Sequence, residues 1–498
     1  MSTPQILGGQ LGSTPHTTNT NYAPFLYGRS ASFGSDYVYL SNVIPTAGTL
    51  SKLYITLSGA PGEGKSYTFT VMKNSVASDL AVTISGTDTT GEDSAHSVSC
   101  SPGDLIMLRS VPSGTPAGSL TVRTSIIWEP TVDGEYIFGG DSANSLVGNN
   151  YIALAANNSG SSETSYTAVV PLEGTIKKLV YQHQAAPGAG KSVICTTRKN
   201  GSDQSLVATV TGAATQAIDT TNSFSVSPGD LICAVLSVAG GAISYRATWA
   251  FVYFPSDTSK IPMVGSSTAT LATTITQYGF PQFAQVIQTS GTAAYIFCRD
   301  GFNFLGIRVA LLTAPGEGKS RTFTLRDDNS DTDLTLTISG SDTTGSASAT
   351  VSPADLSLLN FMSVSNNTPA ASILKIGFIY EASTGATSSP PTTIGGTTSA
   401  PTTLAPSTAP PTTLEATTPA PSTSAPTTGA PTTLAPTTLV VTTEGPTTSP
   451  PTTVVVTTLA PTTIAPTTLA PTTLAPALAN LVGGKLVNQS ILFGRLVQ

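Results

Sequence analysis

The sequence predicts an all-β fold of three tandem antiparallel jelly-roll or β-sandwich modules, and three observations point to it. One long phrase recurs: APGEGKSYTFTVMKN around Pro61, APGAGKSVICTTRKN around Pro187 and APGEGKSRTFTLRDD around Pro315. A second phrase comes about 40 residues after each copy, as SPGDL from Ser101, SPGDL from Ser227 and SPADL from Ser352. The first set of prolines is spaced by 126 and 128 residues and the second by 126 and 125. A period near 125 is a whole small domain rather than a solenoid unit, because each copy is long enough to bury a core of its own. Third, the apolar residues fall in short runs cut by Gly, Pro, Asn, Asp and Ser, with no sustained 3.6-residue period.

In the first copy the expected strands are Leu53 to Leu57, Tyr67 to Val71, Leu80 to Ile84, Leu105 to Leu108 and Leu120 to Trp128. Short strands at this spacing, with turn chemistry between them, read as an antiparallel sandwich or jelly roll. The closing strand aligns across copies: SIIWEP places Trp128 where AFVYFP has Tyr253 and GFIYEA has Tyr380. An aromatic there reads first as a core or rim anchor, and these three side chains are also the candidates for stacking on a ligand. The chain thus divides into an N-terminal arm over 1–20, modules over 21–130, 131–256 and 257–384, a Thr/Pro-rich linker over 385–476, and a C-terminal segment over 477–498.

The sharpest motif is misleading. Gly59 to Ser66, GAPGEGKS, satisfies the pattern of a phosphate-cradling loop. That chemistry needs a helix behind the loop, so that its N-terminal N–H groups converge on phosphate. Here Tyr67 to Val71 reads as a strand, and the first glycine becomes Ala185 and Thr313 in the other copies, while Pro-Gly-x-Gly is kept. A strand-connecting turn in which glycine supplies positive φ is the better reading. Asp104, Asp230 and Asp355 recur as well, and Pro-Gly-Asp is ordinary turn chemistry with the carboxylate capping nearby N–H groups.

Composition excludes several classes. Charged residues make up only 10% of the chain and the formal net charge is −7, with no basic patch, so nucleic acid is not an expected partner. His16, His96 and His183 fall at non-equivalent positions without metal-ligand spacing. Cys100, Cys195, Cys233 and Cys298 are divided one, two and one among the modules, which makes no disulfide framework. Cys195 and Cys233 lie in strand-like runs of one module, yet free buried thiols are expected. No secretory leader is recognisable at the start of the sequence, and no apolar run is long enough to span a bilayer. No carboxylate pair, Ser-His-Asp arrangement or metal cluster recurs at equivalent positions, so no enzyme, metal or cofactor is expected.

The order of strand, Asn turn near Asn74 or Asn200, Thr-rich stretch, Ser-Pro-Gly-Asp-Leu and aromatic closing strand is similar to jelly rolls of complement and tumour-necrosis-factor type. The phrases GKSYTFTVMKN and TISGTDTTGEDSAHSVSCSPGDL also resemble repeated modules in structural proteins of tailed bacteriophages. The first likeness implies three-fold packing, either as a trimer or as a pseudo-trimer within one chain. The second implies a place on a virion, as a fibre or decoration protein. Connections between modules are short enough for a compact triangle and equally for beads on a string.

After Glu381 the composition turns to Thr, Pro, Ala, Ser and Leu, ending in a five-residue beat at Pro461, Pro466, Pro471 and Pro476. Proline at that interval denies helix and sheet ladders, so the segment reads as an extended or disordered stalk reaching on the order of 280 Å at full stretch. Beyond it, LVGGKLV (Leu481 to Val487) and ILFGRLV (Ile491 to Val497) are offset by ten residues, and Ile6 to Leu11, ILGGQL, echoes them. Too short to fold alone, this tip reads as a docking segment that adds to a sheet edge. Its expected contacts are Leu481, Val482, Leu486, Val487, Ile491, Leu492, Phe493, Leu496 and Val497. The functional expectation is a structural display protein of a virus particle, binding virion or surface-assembly proteins through this tip and host glycans through the modules. An extracellular or cell-surface adhesin and a filament subunit are the alternatives.

Overall fold

The computed structural model describes residues 3–383, apart from 12, 28–32, 36–39, 142–149, 153, 155–158, 242–245, 283–287, 292–294 and 300, together with 481–482 and 485–486. Among the described residues there is no α-helix, only strands and one 3-10 turn at Glu163–Ser165. The alternation read from the sequence is what forms them. In the first module the strands are β1 (Gln5–Gln10), β2 (Asn21–Ala23), β3 (Asn42–Val43), β4 (Gly48–Leu57), β5 (Gly62–Lys73), β6 (Val76–Gly86), β7 (Thr90–Cys100), β8 (Leu105–Ser113) and β9 (Val122–Pro130). In the second they are β10 (Tyr136–Asp141), β11 (Asn150–Ile152), β12 (Ser159–Gly160), β13 (Ala168–Val169), β14 (Gly174–His183), β15 (Gly188–Lys199), β16 (Ser202–Gly212), β17 (Gln216–Val226), β18 (Leu231–Ala239) and β19 (Ala247–Pro255). The third holds β20 (Ile261–Leu271), β21 (Gln277–Gly279), β22 (Ile296–Phe297), β23 (Phe302–Leu311), β24 (Gly316–Asp327), β25 (Ser330–Gly340), β26 (Thr344–Val351), β27 (Leu358–Asn366) and β28 (Ser372–Ala382).

Strand order establishes the jelly roll. The first module pairs β1-β9-β4-β7 in one sheet and β2-β8-β5-β6 in the other, with β3 also on β8. The second repeats this as β10-β19-β14-β17 and β11-β18-β15-β16, and the third as β20-β28-β23-β26 and β21-β27-β24-β25. Every pairing is antiparallel, with the first strand beside the last and the second beside the next to last, which is the double Greek key of a jelly roll.

Two details correct the sequence reading. Residues 5–10, grouped there with an N-terminal arm, are the edge strand of the first module, with Gln5 opposite Trp128 and Gln10 opposite Arg123. The Pro-Gly-x-Gly-Lys-Ser phrase is less a connecting turn than the bulged beginning of β5, where register slips between Gly62 and Ser66. Its glycines do supply positive φ, at 105° and 70° for Gly62 and Gly64 and at nearly the same angles in the other modules. The chain continues past Ser66 as strand β5, so no helix N-terminus faces the loop.

Burial separates two kinds of strand. β6 and β25 alternate, with Leu80, Val82 and Ile84, or Leu334, Leu336 and Ile338, pointing inward between exposed neighbours. By contrast β9, β10 and β19 are buried almost without a break. A strand buried on both faces has something packed on the outside of its sheet. That something is the neighbouring module: β3 packs on β10, β14 and β19; β13 packs on β20, β23 and β28; and β22 packs on β9 and β1. The strands β3, β13 and β22 are equivalent, each pairing with the next-to-last strand of its own module. Each module thus lays the same edge against the next, first on second, second on third and third on first, so the head-to-tail contact closes into a ring.

Candidate functional site: the ring interior and its exposed edges

The ring interior explains the three closing aromatics. Trp128, Tyr253 and Tyr380 are 0%, 1% and 0% exposed, so none can stack on a ligand from solvent and that candidacy is withdrawn. Trp128 and Tyr380 are anchors across a seam, and Tyr253 is an anchor within the second module. Trp128 Nε1 donates to the Glu135 carbonyl at 3.4 Å, Tyr253 Oη donates to the Leu172 carbonyl, and Tyr380 Oη accepts from the Ile6 amide at 3.0 Å across the third–first seam. Trp128 lies so close over Gly48 that a methyl group there would meet its ring at 2.4 Å.

The outward edge of each first strand is closed at one register in three ways. The Ile6 amide is held by Tyr380 Oη. At the equivalent Ile137, the amide donates to Gln5 Oε1 at 2.8 Å and the carbonyl accepts from Gln5 Nε2 at 3.0 Å. The third strand carries Pro262 there, which has no N–H to satisfy. Unpaired edges invite foreign strands, and here each is occupied or removed.

Each seam also holds charged groups. Between the first and second modules, buried Glu135 lies 3.0 Å from Lys177 Nζ and 2.6 Å from Lys178 Nζ, and it also accepts from Thr46 Oγ1 of the first module. Burial alone would raise its pKa, but the hydrogen bonds from Lys178, Thr46 and Lys177 outweigh burial and hold it below the usual carboxylate value. Between the second and third modules, Lys375 Nζ donates to the Thr164 carbonyl at 2.7 Å, and burial lowers its pKa to about 8. Between the third and first, Arg299 pairs with Glu92 at 2.6 Å, Arg123 covers the Tyr295 ring at 4.2 Å, and Tyr54 meets Phe297 edge-on at 4.9 Å. Sequence reasoning passed over all of these because a repeat position does not reveal what a side chain faces: Arg123 and Lys375 hold the same place in their closing strands, two residues before Ser125 and Gly377, and meet different partners. The signal it could have used is the continuous apolar closing strand, which implies burial on both faces.

Two of the three recurrent Asp residues, Asp104 and Asp230, do what turn chemistry requires, whereas in the third module the turn is two residues longer and Ser357, not Asp355, stands at their place. Asp104 accepts from the Ser101 amide at 2.8 Å and from Asn74 Nδ2 at 2.6 Å, and Asn74 Oδ1 in turn takes the Leu105 amide. Asp230, Ser227, Asn200 and Leu231 repeat the arrangement. In the third module Asp328 stands in for the asparagine and accepts from the Leu358 amide. The histidines differ in role: His16 accepts from the Thr18 and Asn19 amides, His96 faces Asp93, and buried His183 contacts the Ala185 carbonyl. Among the described residues no His, Cys, Asp or Glu cluster could hold a metal, and no helix is long and apolar enough to cross a membrane. None of the four cysteines forms a disulfide, and all are buried.

Outside the ring interior, the edge strands β7, β17 and β26 expose Ser, Thr and Asn, with few charges. The outer faces of the adjoining sheets carry threonine pairs, Thr68 with Thr83 and Thr322 with Thr337, at 2.9 and 3.0 Å. Of the C-terminal docking residues, Val487, Ile491, Leu492, Phe493, Leu496 and Val497 lie outside the described residues. Leu481–Val482 (β29) and Lys485–Leu486 (β30) pair with each other, Leu481 opposite Leu486. No protein-family model matches the chain, and no curated protein is similar to it.

Proposed function

We propose that the protein is a non-enzymatic structural display protein, a component of a virion fibre or decoration. The three-module ring is the presented body, residues 385–476 are its tether, and residues 477–498 fasten it to a larger assembly. The observation that carries this reading is the division of surfaces. The apolar sheet faces are spent on the ring itself, while the outward strands expose mainly Ser, Thr and Asn. A body of that kind suits presentation, and hydroxyl-rich sheet edges suit hydrogen bonding to surface glycans. The alternating Thr/Pro composition of the tether suits a spacer without a core of its own.

Location is the test. Mass spectrometry of purified particles against cell envelopes is expected to find the chain in the particles, and loss of residues 477–498 to prevent its incorporation. Recovery from envelopes alone would overturn the virion reading in favour of an adhesin. A glycan array probed with the full chain tests recognition, and no binding to any sugar would remove that part.

A further inference from the structure

The three seams of the ring are not equally fastened. A chain that passes through three modules in order can span only two of the three seams, and here residues 131–135 cross the first–second seam and 256–260 the second–third. The third–first seam is held by side chains and packing alone. Its contacts are the Ile6 amide on the Tyr380 hydroxyl at 3.0 Å, the Ser125 hydroxyl on the Phe297 carbonyl at 3.5 Å, the Arg299–Glu92 pair, and the rings of Tyr54 on Phe297 and Tyr295 under Arg123.

Several polar groups at this seam are also buried without a partner. Gln10 and Thr56 lie opposite Arg123 in the ladder, one on either side, so they share the face turned to the third module. Gln10 Oε1, Thr56 Oγ1 and both Nε and Nη1 of Arg299 are buried and have no hydrogen-bond partner among the described residues. Each would regain water on leaving the seam, and an unpaired buried polar group costs more than a paired one contributes. The carboxylate that faces Arg299, Glu92, stands at the rim, 37% exposed, where solvent weakens the pair. At the first–second seam, by contrast, Glu135, Lys177, Lys178 and Thr46 satisfy one another.

We infer that the third–first seam is a latch: the third module swings away from the first there, while the other two seams stay closed and no module unfolds. A five-residue connection limits separation at each of the other seams to about 20 Å even when fully extended. No such limit applies at the third–first seam. Opening bares a surface that the closed ring hides, with Tyr54, Arg123 and Ser125 on the first module and Tyr295, Phe297 and Arg299 on the third. Packing of β22 on β1 and β9 keeps the closed form the major one, and the orphaned groups reduce what opening costs.

Two equivalent amides report on two seams. The Ile6 amide is held across the third–first seam by Tyr380, and the Ile137 amide across the first–second seam by Gln5. In hydrogen exchange of the native full chain, Ile6 should exchange about tenfold or more faster than Ile137 after correction for intrinsic rates. The Leu7 amide, which points the other way toward β9, should stay protected, and this separates latch opening from fraying of β1. Glu92→Gln leaves Arg299 buried without a counter-charge, so it should speed Ile6 about threefold or more and leave Ile137 unchanged. Arg299→Met removes the orphaned donors and leaves Glu92 at an exposed rim, so it should not speed Ile6. Equal protection of Ile6 and Ile137, release of Leu7 together with Ile6, a Glu92→Gln effect shared by both seams, or faster Ile6 exchange in Arg299→Met would overturn the latch.

Discussion

Replacing Glu135 with glutamine keeps its shape and removes its charge at the seam between the first two modules. The carboxylate is 2% exposed and joins Lys177, Lys178 and Thr46, and its two lysines keep 28% and 29% of their side-chain surface in water. Removing one partner of a fully buried pair costs about 3–5 kcal/mol, because a charge is left uncompensated. These lysines can turn partly to solvent, which lowers the expected loss to about 2–3 kcal/mol. Urea unfolding tracked by tryptophan fluorescence is the suitable assay, since Trp128 Nε1 donates to the Glu135 carbonyl. The acid side provides a second arm. A carboxyl group held below its unfolded pKa contributes stability that is complete above about pH 4.3 and is lost as pH falls through the folded value. Wild type and Glu135→Gln should therefore differ at pH 7 and converge in acid. A difference below about 0.5 kcal/mol at pH 7, or one that persists unchanged in acid, would refute the reasoning.

Gly8→Ala forces a methyl group to 2.3 Å from the Thr124 carbonyl oxygen at a φ of +123°, so β1 must shift, and a loss of about 2–4 kcal/mol is expected in thermal or urea unfolding. In Asp219, burial would raise the pKa, but hydrogen bonds from the Val207 amide and from Asn222 and Thr221 bring it to about 2. Its contribution is present above about pH 4 and lost between there and pH 2, so Asp219→Asn should flatten the acid limb of the stability curve by about 1–2 kcal/mol. Burial pushes the Cys100 thiol up to about 12 and raises Cys195 and Cys233 further. Those thiols should resist a thiol-reactive dye at pH 8 in the native chain and react at once in denaturant.

Much of the fold was legible in the residues. Strand boundaries come from runs such as Leu80-Ala81-Val82-Thr83-Ile84, where period-2 alternation admits one face to the core. The Asn74 and Asp104 turn was readable because a short polar side chain beside Pro-Gly can cap only its local amides. The ring was harder to see, because the like places Ile6, Ile137 and Pro262 are closed by unlike means: the Tyr380 hydroxyl for the first, the Gln5 side chain for the second and the absence of an N–H for the third. No repeat alignment highlights these, since divergence is what fits each seam to its neighbour. The role of Ile6 to Leu11 was half visible as an echo of the C-terminal phrase. Its place as an edge strand depends on a partner, β9, more than a hundred residues away, which local pattern does not encode.

Closure of the three modules into one ring is the claim on which the rest depends, and small-angle scattering from the chain ended at residue 384 tests it most directly. A compact body of that length should give a radius of gyration of about 21 Å, with a single-peaked distance distribution. Three modules strung in a line would give about 30 Å or more and an extended tail, and that result would contradict the account.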